Sequence, residues 1–454
     1  MLDRRLFHWE NEFSRRVLRL AVPIVIQSLV VALMYVVDNW MIGQLGDIKL
    51  GGVTQANRIT FLMQVTMFGV VSGASVLTAQ YWGVRDVKSI HRTLGLGTVT
   101  AMVVSLLFAL PSILCPQLLI GLLVQEPEVV QAGVAYLRVI GFAYLVQGFS
   151  QVHGAVLKST EQVKLPSVAS AAAILCNTLF NYLLIFGRWG FPRLEETGGA
   201  IATLMGSCLE LAILLGFSYR YRLPNAARIR DMAFTRQEAA GYFKVVLPTA
   251  LNEGFWSLGM VMYSAAYGRM GATTLAAVSI YNSVEQLASV VLRGATHACA
   301  VMVGIAIGAG KKEYASLTAR RMLVAGVGTG IVIGAVVLCI SGPIANMFGN
   351  VSQQARDSAY RLVNTYAGFL WLQAAATLLI VGILRAGGDV RFALVIDVAP
   401  VWLVGIPLVF AFGPGAGWPI QYVYMLTRIE ELLKSGIALL RFRSGKWIHQ
   451  LVGN

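Results

Sequence analysis

Only 13% of this 454-residue chain is charged, so residues able to do chemistry are few and stand out from an apolar background. Three carboxylates lie inside long apolar runs: Asp38 in MYVVDNWMIG, Glu253 in PTALNEGFW and Glu285 in IYNSVEQLA. An ionisable group in such a run costs about 2.5 to 3.5 kcal/mol on insertion scales, so it faces a cavity or a partner. A carboxylate left without a cation there can release a proton, hold a sodium ion or attract an organic cation. Asn177 and Asn181 are four apart and share one helix face. Their amide oxygens can complete a Na+ site with Asp38, since hard cations take oxygen ligands, but the spacing equally suits a helix–helix hydrogen bond. Gln27 lies about three helical turns before Asp38 on nearly the same face, and Asn252 adjoins Glu253. Tyr35, Trp256, Tyr281 and Trp371 sit near these positions. Aromatic faces attract organic cations by about 0.5 to 2 kcal/mol, with packing or an interfacial belt as the plainer role.

Other charges have simpler readings. On one helix, Arg428 and Glu431, and Glu430 and Lys434, fall at neutralising spacings. Asp397 is expected to pair with Arg391, whereas Glu210 has no evident partner. The five histidines and five cysteines are scattered, without metal-ligand or CxxC spacing, and no HExxH or GxSxG occurs. No enzyme, cofactor or nucleic-acid partner is expected.

These residues must be held by elements compatible with lipid. The chain is 57% hydrophobic with mean hydropathy +0.68, well beyond a soluble domain. Long unbroken apolar runs select helices over a barrel, because lipid leaves every backbone group to be satisfied internally. Spans are expected near 17–44, 52–82, 93–115, 127–157, 165–187, 195–219, 239–269, 275–308, 319–342, 355–384, 392–412 and 415–440. The basic N-terminal segment reads as the flank of a retained first span, since no small-residue cleavage site follows it. The formal charge of +14 resides mostly in alternate loops, for example Arg85, Lys88, Arg228, Arg230, Lys311 and Lys312. That asymmetry predicts cytoplasmic termini in an inner membrane.

The chain also repeats itself. Pro23 and Pro248, Gly43 and Gly268, Gly46 and Gly271, Asn57 and Asn282, and Gly83 and Gly308 all stand at one common offset. GAVLKSTEQVK at 154–164 is answered by GILRAGGDVR from Gly382. The fold class is therefore an all-α polytopic membrane protein of twelve transmembrane helices in two pseudo-symmetric six-helix bundles. The expected lobes are 1–219 and 239–454, with a cytoplasmic linker at 220–238. An even number of spans per half gives both the same orientation, an arrangement suited to rocking about a central cavity.

LAVPIVIQSL followed by VDNWMIGQLG, LKSTEQVKLP leading to NTLFNYLLIFG, PTALNEG, and ILRAGGDVRFALVID occur in an order that resembles the multidrug and toxic compound extrusion (MATE) transporters of the NorM and DinF type. The resemblance covers essentially the whole chain. It implies a monomer exporting amphipathic, often cationic small molecules in exchange for H+ or Na+. By that resemblance Asp38 and Asn177 belong to an ion-coupling site of the N-terminal lobe, and Glu253 and Glu285 to acidic positions of the C-terminal lobe. Asn181 departs from it, standing where some members have aspartate. A flippase for lipid-linked sugars is the rival reading, and a non-transporting receptor or scaffold the second. The acidic character of Asp38, Glu253 and Glu285 disfavours the flippase, whose cavity should attract phosphates.

Overall fold

The structure is a computed structural model that describes residues 11–124, 126–347 and 352–452, apart from a few side chains within helices such as that of Tyr35. Every long element is a helix. They are α1 (Asn11–Gly43), α2 (Asp47–Gly83), α3 (Val87–Leu114), the short α4 (Pro116–Gly121), α5 (Pro127–Ser159), α6 (Lys164–Phe186) and α7 (Glu195–Tyr221). A 3-10 turn (Ile229–Met232) precedes α8 (Arg236–Arg269), α9 (Ala272–Gly308), α10 (Lys312–Met347) and α11 (Gln353–Thr377). After these come α12 (Val390–Pro400), the short α13 (Ile406–Phe410) and α14 (Ile420–Arg443). π-Helical segments at Leu378–Arg385, Val401–Gly405 and Ala411–Gly415 extend α11, join α12 to α13 and come after α13.

Among the described residues, ten helical segments are long and apolar enough to cross a membrane. α8 and α14 fall outside that set, and α14 does so for a visible reason: it carries Arg428, Glu430, Glu431 and Lys434. The last span, expected from 415, begins at Ile420 because Gly417, at φ +68°, and Pro419 hold the preceding turn open. Several helices outrun the expected spans by a turn or more, as α10 does, because their polar ends continue helically beyond an apolar core.

The chain divides into two compact units, one of residues up to Val25 and from Leu251 onward, the other Ile26–Ala250. The division falls inside α1 and α8, whereas the sequence placed the lobe boundary in the polar stretch 220–238. Ile26 and Leu251 are equivalent positions of the repeat, each three residues past Pro23 or Pro248. A proline inside a helix removes one backbone hydrogen bond and loosens the turn before it.

Within the Ile26–Ala250 unit, α2 packs on α3 and α5, α3 on α5, and α7 on α5 and α6. In the other unit, α9 packs on α10 and α11, α10 on α11, and α14 on α11 and α12, the same set of neighbours. Small residues permit these approaches in lipid, where no hydrophobic effect drives helices together. A Cβ on Gly52 would come within 2.5 Å of the Gly133 nitrogen between α2 and α5, and one on Gly206 within 2.8 Å of the Ala173 carbonyl between α7 and α6. The turns into α2 and α9 match as well. Gly46 and Gly271 have φ +100° and +106°, a conformation that L side chains rarely adopt. Sequence repeat and local geometry thus coincide.

Polar contacts tie the helix ends together. Lys49 at the start of α2 bonds Glu195 and Glu196 at the start of α7 at 2.9 and 2.8 Å. Thr235 and Glu238 form a capping box at the start of α8. In it the Thr235 N–H donates to the Glu238 carboxylate at 2.7 Å and the Glu238 N–H to the Thr235 hydroxyl at 3.3 Å. The Thr235 N–H, with the Thr235 hydroxyl and the Arg92 guanidinium, holds the Glu238 carboxyl below the usual range.

Candidate functional site

In the Ile26–Ala250 unit the structure brings together Asp38 of α1 with Asn177 and Asn181 of α6. The Asn181 amide donates to Asp38 at 2.6 Å and to the Asn177 carbonyl oxygen at 3.1 Å. Asn177 in turn donates to the Thr203 hydroxyl of α7 at 3.1 Å, and Thr203 donates to the Gly199 carbonyl at 3.0 Å. The four-residue spacing puts both asparagines on the face toward α1 and α7, where Gly199 and Gly206 leave space for them. Of the two readings that the spacing allowed, the structure shows the helix-to-helix hydrogen bond, with the Asn177 and Asn181 amides beside Asp38.

Two properties of this cluster decide its chemistry. Among the described residues Asp38 has no salt-bridge partner, and Asn181 is its hydrogen-bond partner. Asn181 is also buried with its carbonyl oxygen unmatched by any donor among those residues. An amide presents a donor in one rotamer and an acceptor in the other. Asn181 can therefore donate to a bare carboxylate, or turn its oxygen toward a cation that the carboxylate holds. Elsewhere in the unit, Gln147 donates to Ser207 at 3.2 Å and Thr60 shares a hydrogen bond with Tyr144 at 2.8 Å. The Gln27 carbonyl oxygen is buried without a partner among the described residues.

The other unit corrects the expectation for Glu253. It is not an uncompensated carboxylate: Arg385, at the end of the π-helical extension of α11, bonds it at 2.8 Å, with the two side chains 2% and 13% exposed. Asp397 likewise pairs with Lys434 of α14 at 3.4 Å, not with Arg391, and accepts from Asn252 at 2.8 Å. The i,i+4 pairing of Glu430 with Lys434 is present at 3.8 Å, and Tyr263 of α8 donates to the same Glu430. Glu210 lies in the field of Lys158, a neighbour the sequence did not suggest.

Glu285 accepts from the Gln373 amide at 3.4 Å and lies in the field of Arg428 and Arg293. Tyr281 is buried and shares a hydrogen bond with Tyr424 at 2.9 Å, so it belongs to a packed tyrosine cluster with Tyr366. Trp256 and Trp371 are 37% and 40% exposed and remain open to a ligand or to lipid. Tyr35 lies in α1, with its side chain outside those described.

Sequence reasoning missed Thr203, Arg385 and Gln373 as partners, and Lys434 as the partner of Asp397. Gln373 stands 88 positions from Glu285 and Arg385 stands 132 from Glu253, and no local pattern announces pairs so far apart. Only Lys434 carried a signal, being one turn from Glu430.

Two matching sets of helices, each with carboxylates inside apolar segments, define a duplicated multi-pass membrane protein of the kind used in secondary transport. The sequence profile of the MatE family matches residues 23–183 and 248–411, beginning at the two equivalent prolines. The chain belongs to the MatE family. It is 22% identical to "Probable multidrug resistance protein NorM" of Thermotoga maritima over 446 residues, covering 96% of this chain and 93% of the relative. It is 27% identical to the protein of the same name from Bradyrhizobium diazoefficiens, covering 96% and 94%. Among solved structures, "Outward-facing conformation of a multidrug resistance MATE family transporter of the MOP superfamily" superposes with a TM-score of 0.84 at 16% identity, covering 95% and 96%. "Crystal structure of MATE in the straight conformation" does so with a TM-score of 0.85 at 16% identity, covering 98% and 99%. At these identities the superpositions establish the fold.

Proposed function

We propose that this protein is a secondary active exporter of amphipathic, cationic small molecules, exchanging them for H+ or Na+ by alternating access. It acts as a monomer in a bacterial inner membrane with both termini cytoplasmic. Family membership and the names of the relatives support the reading. The observation that carries it is Asp38, a carboxylate inside an apolar helix held by a neutral amide and by no cation among the described residues. Such a group gains most from whatever positive charge reaches it, because little else offsets the cost of ionisation in a low dielectric.

The coupling step rests on that single charge. A proton or sodium ion at Asp38 neutralises it and removes the attraction for a cationic substrate; a bound substrate disfavours the ion by the same amount, as linkage requires. Sodium would be held by Asp38 with the Asn177 and Asn181 oxygens and the Thr203 hydroxyl, a wholly oxygen set. With one carboxylate where some relatives have two, a proton is the better suited ion. Glu285, which accepts from Gln373 and has no salt-bridge partner among the described residues, is the second coupling candidate. Glu253, with Arg385 bound to it, serves to hold its helices in place.

Ethidium efflux from reconstituted liposomes tests this, with a proton gradient and a sodium gradient imposed separately and Asp38→Asn alongside. Transport under one gradient, lost in the variant, is expected. Silence under both gradients, with binding of a lipid-linked sugar, would sink the exporter and establish the flippase.

A further inference from the structure

We infer that Asp397, Lys434 and Glu430 form a second proton-carrying site, in which two carboxylates share one ammonium and take up one proton between them. The inference rests on the transport reading and adds to it a coupling position on α12 and α14, distinct from Asp38, Glu253 and Glu285.

Charge supplies the first argument. Lys434 lies 3.4 Å from Asp397 and 3.8 Å from Glu430, and its side chain is 3% exposed. With all three ionised the set has one negative charge in excess. Widening the set to its charged neighbours on α14, Arg428 and Glu431, leaves the same excess. Tyr263 and Tyr267 of α8 and Tyr424 of α14 also act on it, and Glu285 of α9, coupled to Arg428, adds a further negative charge. On the remaining elements packed against α14, Arg385 is engaged with Glu253 and Asp389 with Arg441. Residues 401–410, which also pack on α14, contain no ionisable side chain. An excess charge buried among helices is costly unless something neutralises it.

Space decides what neutralises it. A Cβ on Gly405 would collide with both the Glu430 carboxylate and the Tyr263 hydroxyl, so the bulged backbone presses directly on this pair. Lys434 already occupies the position between the carboxylates that a metal ion would take. A proton needs no added volume. It adds to one carboxylate oxygen, forming one O–H bond and breaking none within the protein, and leaves the set neutral.

Asn252 supplies the second, independent observation. It is 2% exposed and donates to Asp397, while its own carbonyl oxygen is buried without a donor among the described residues. A half-turn of the amide lets that oxygen accept from a protonated Asp397. One side chain is thus able to serve both states of the carboxylate, an unneeded capacity if Asp397 were permanently ionised.

The test uses infrared difference spectra of the full-length protein in lipid nanodiscs as pH is stepped, in an Asp38→Asn background that removes the N-terminal carboxylate. Asp397→Asn or Glu430→Gln should delete one titrating carboxyl band. Tyr263→Phe, a conservative change that removes a donor to ionised Glu430, should make the band persist to higher pH by about a unit. If either isosteric variant fails to fold, the Tyr263→Phe titration decides alone. An undiminished band in the isosteric variants, or an unmoved one in Tyr263→Phe, overturns the proposal. Ethidium transport by the Asp38-intact protein separates the two readings. A titrating band without transport under any gradient leaves the site and removes the exporter, while transport with an unaltered band does the reverse.

Discussion

The two units answer the same problem, a carboxylate in lipid, in opposite ways. In the Ile26–Ala250 unit Asp38 meets amides and a hydroxyl chain on unbroken α-helices, so its charge stays available. In the other unit Glu253 and Asp397 meet Arg385 and Lys434, on or beside helices with π-helical segments. Arg385 sits at the end of the π-helical extension of α11 and meets Glu253 of α8, while Asp397 of α12 lies just before the next π-helical segment and meets Lys434 of α14. Duplication conserved the neighbours of each helix but not its electrostatics. At the common offset of the repeat Asp38 corresponds to Tyr263 and Glu253 to Ser28, so the two units place their buried carboxylates at different positions, and the partners of each decide what it does.

The contrast is most exposed at Arg385. Arg385→Met leaves Glu253 buried and unpaired and should cost about 3 to 5 kcal/mol, read as a lowered thermal transition in detergent. Adding Glu253→Gln should restore most of it, and a double variant as unstable as the single one would deny that the pair is structural. Next in size, Gly206→Ala forces a methyl against the Ala173 carbonyl and should cost about 1 to 3 kcal/mol while disturbing Asn177, again read from thermal unfolding. Asp38→Asn should change stability by less than about 1 kcal/mol and yet abolish ethidium transport; a large loss of stability would place Asp38 with the structural pairs. Asn181→Asp probes the same cluster from the other side by adding a second carboxylate to it. It should make transport sodium-stimulated, as flux with and without a sodium gradient would reveal.

The smallest expected effect lies outside the membrane. Glu238→Ala removes half of the capping box and should cost about 1 kcal/mol. Because the carboxyl of Glu238 is held below its ordinary range, its contribution is present above that range and fades as pH falls through the lowered value. The stability difference between wild type and Glu238→Ala should therefore shrink in acid, and a difference that grows would refute the assignment.

Legibility in the sequence tracked the forces that act locally. Apolar runs, the common offset of the repeat and the paired glycines at 46 and 271 fix helices and duplication, since each is read along the chain. Asp38 with Asn177 and Asn181 was legible because amides four apart define a face and the family resemblance supplied the partner helix. Arg385 was not, since its arginine reads as the basic end of a span and its partner stands 132 positions away. Nor was Lys434 with Asp397, because i,i+4 neutralisation on α14 already accounted for the lysine.

The charge on α14 also bears on biogenesis. A translocon admits a segment on its own affinity for lipid, and Arg428, Glu430, Glu431 and Lys434 deny α14 that affinity. Its counter-charges and donors, Asp397 and Tyr263, belong to helices made earlier in synthesis. α14 therefore enters the bilayer as a client of helices already in place, received there by Asp397 and Tyr263.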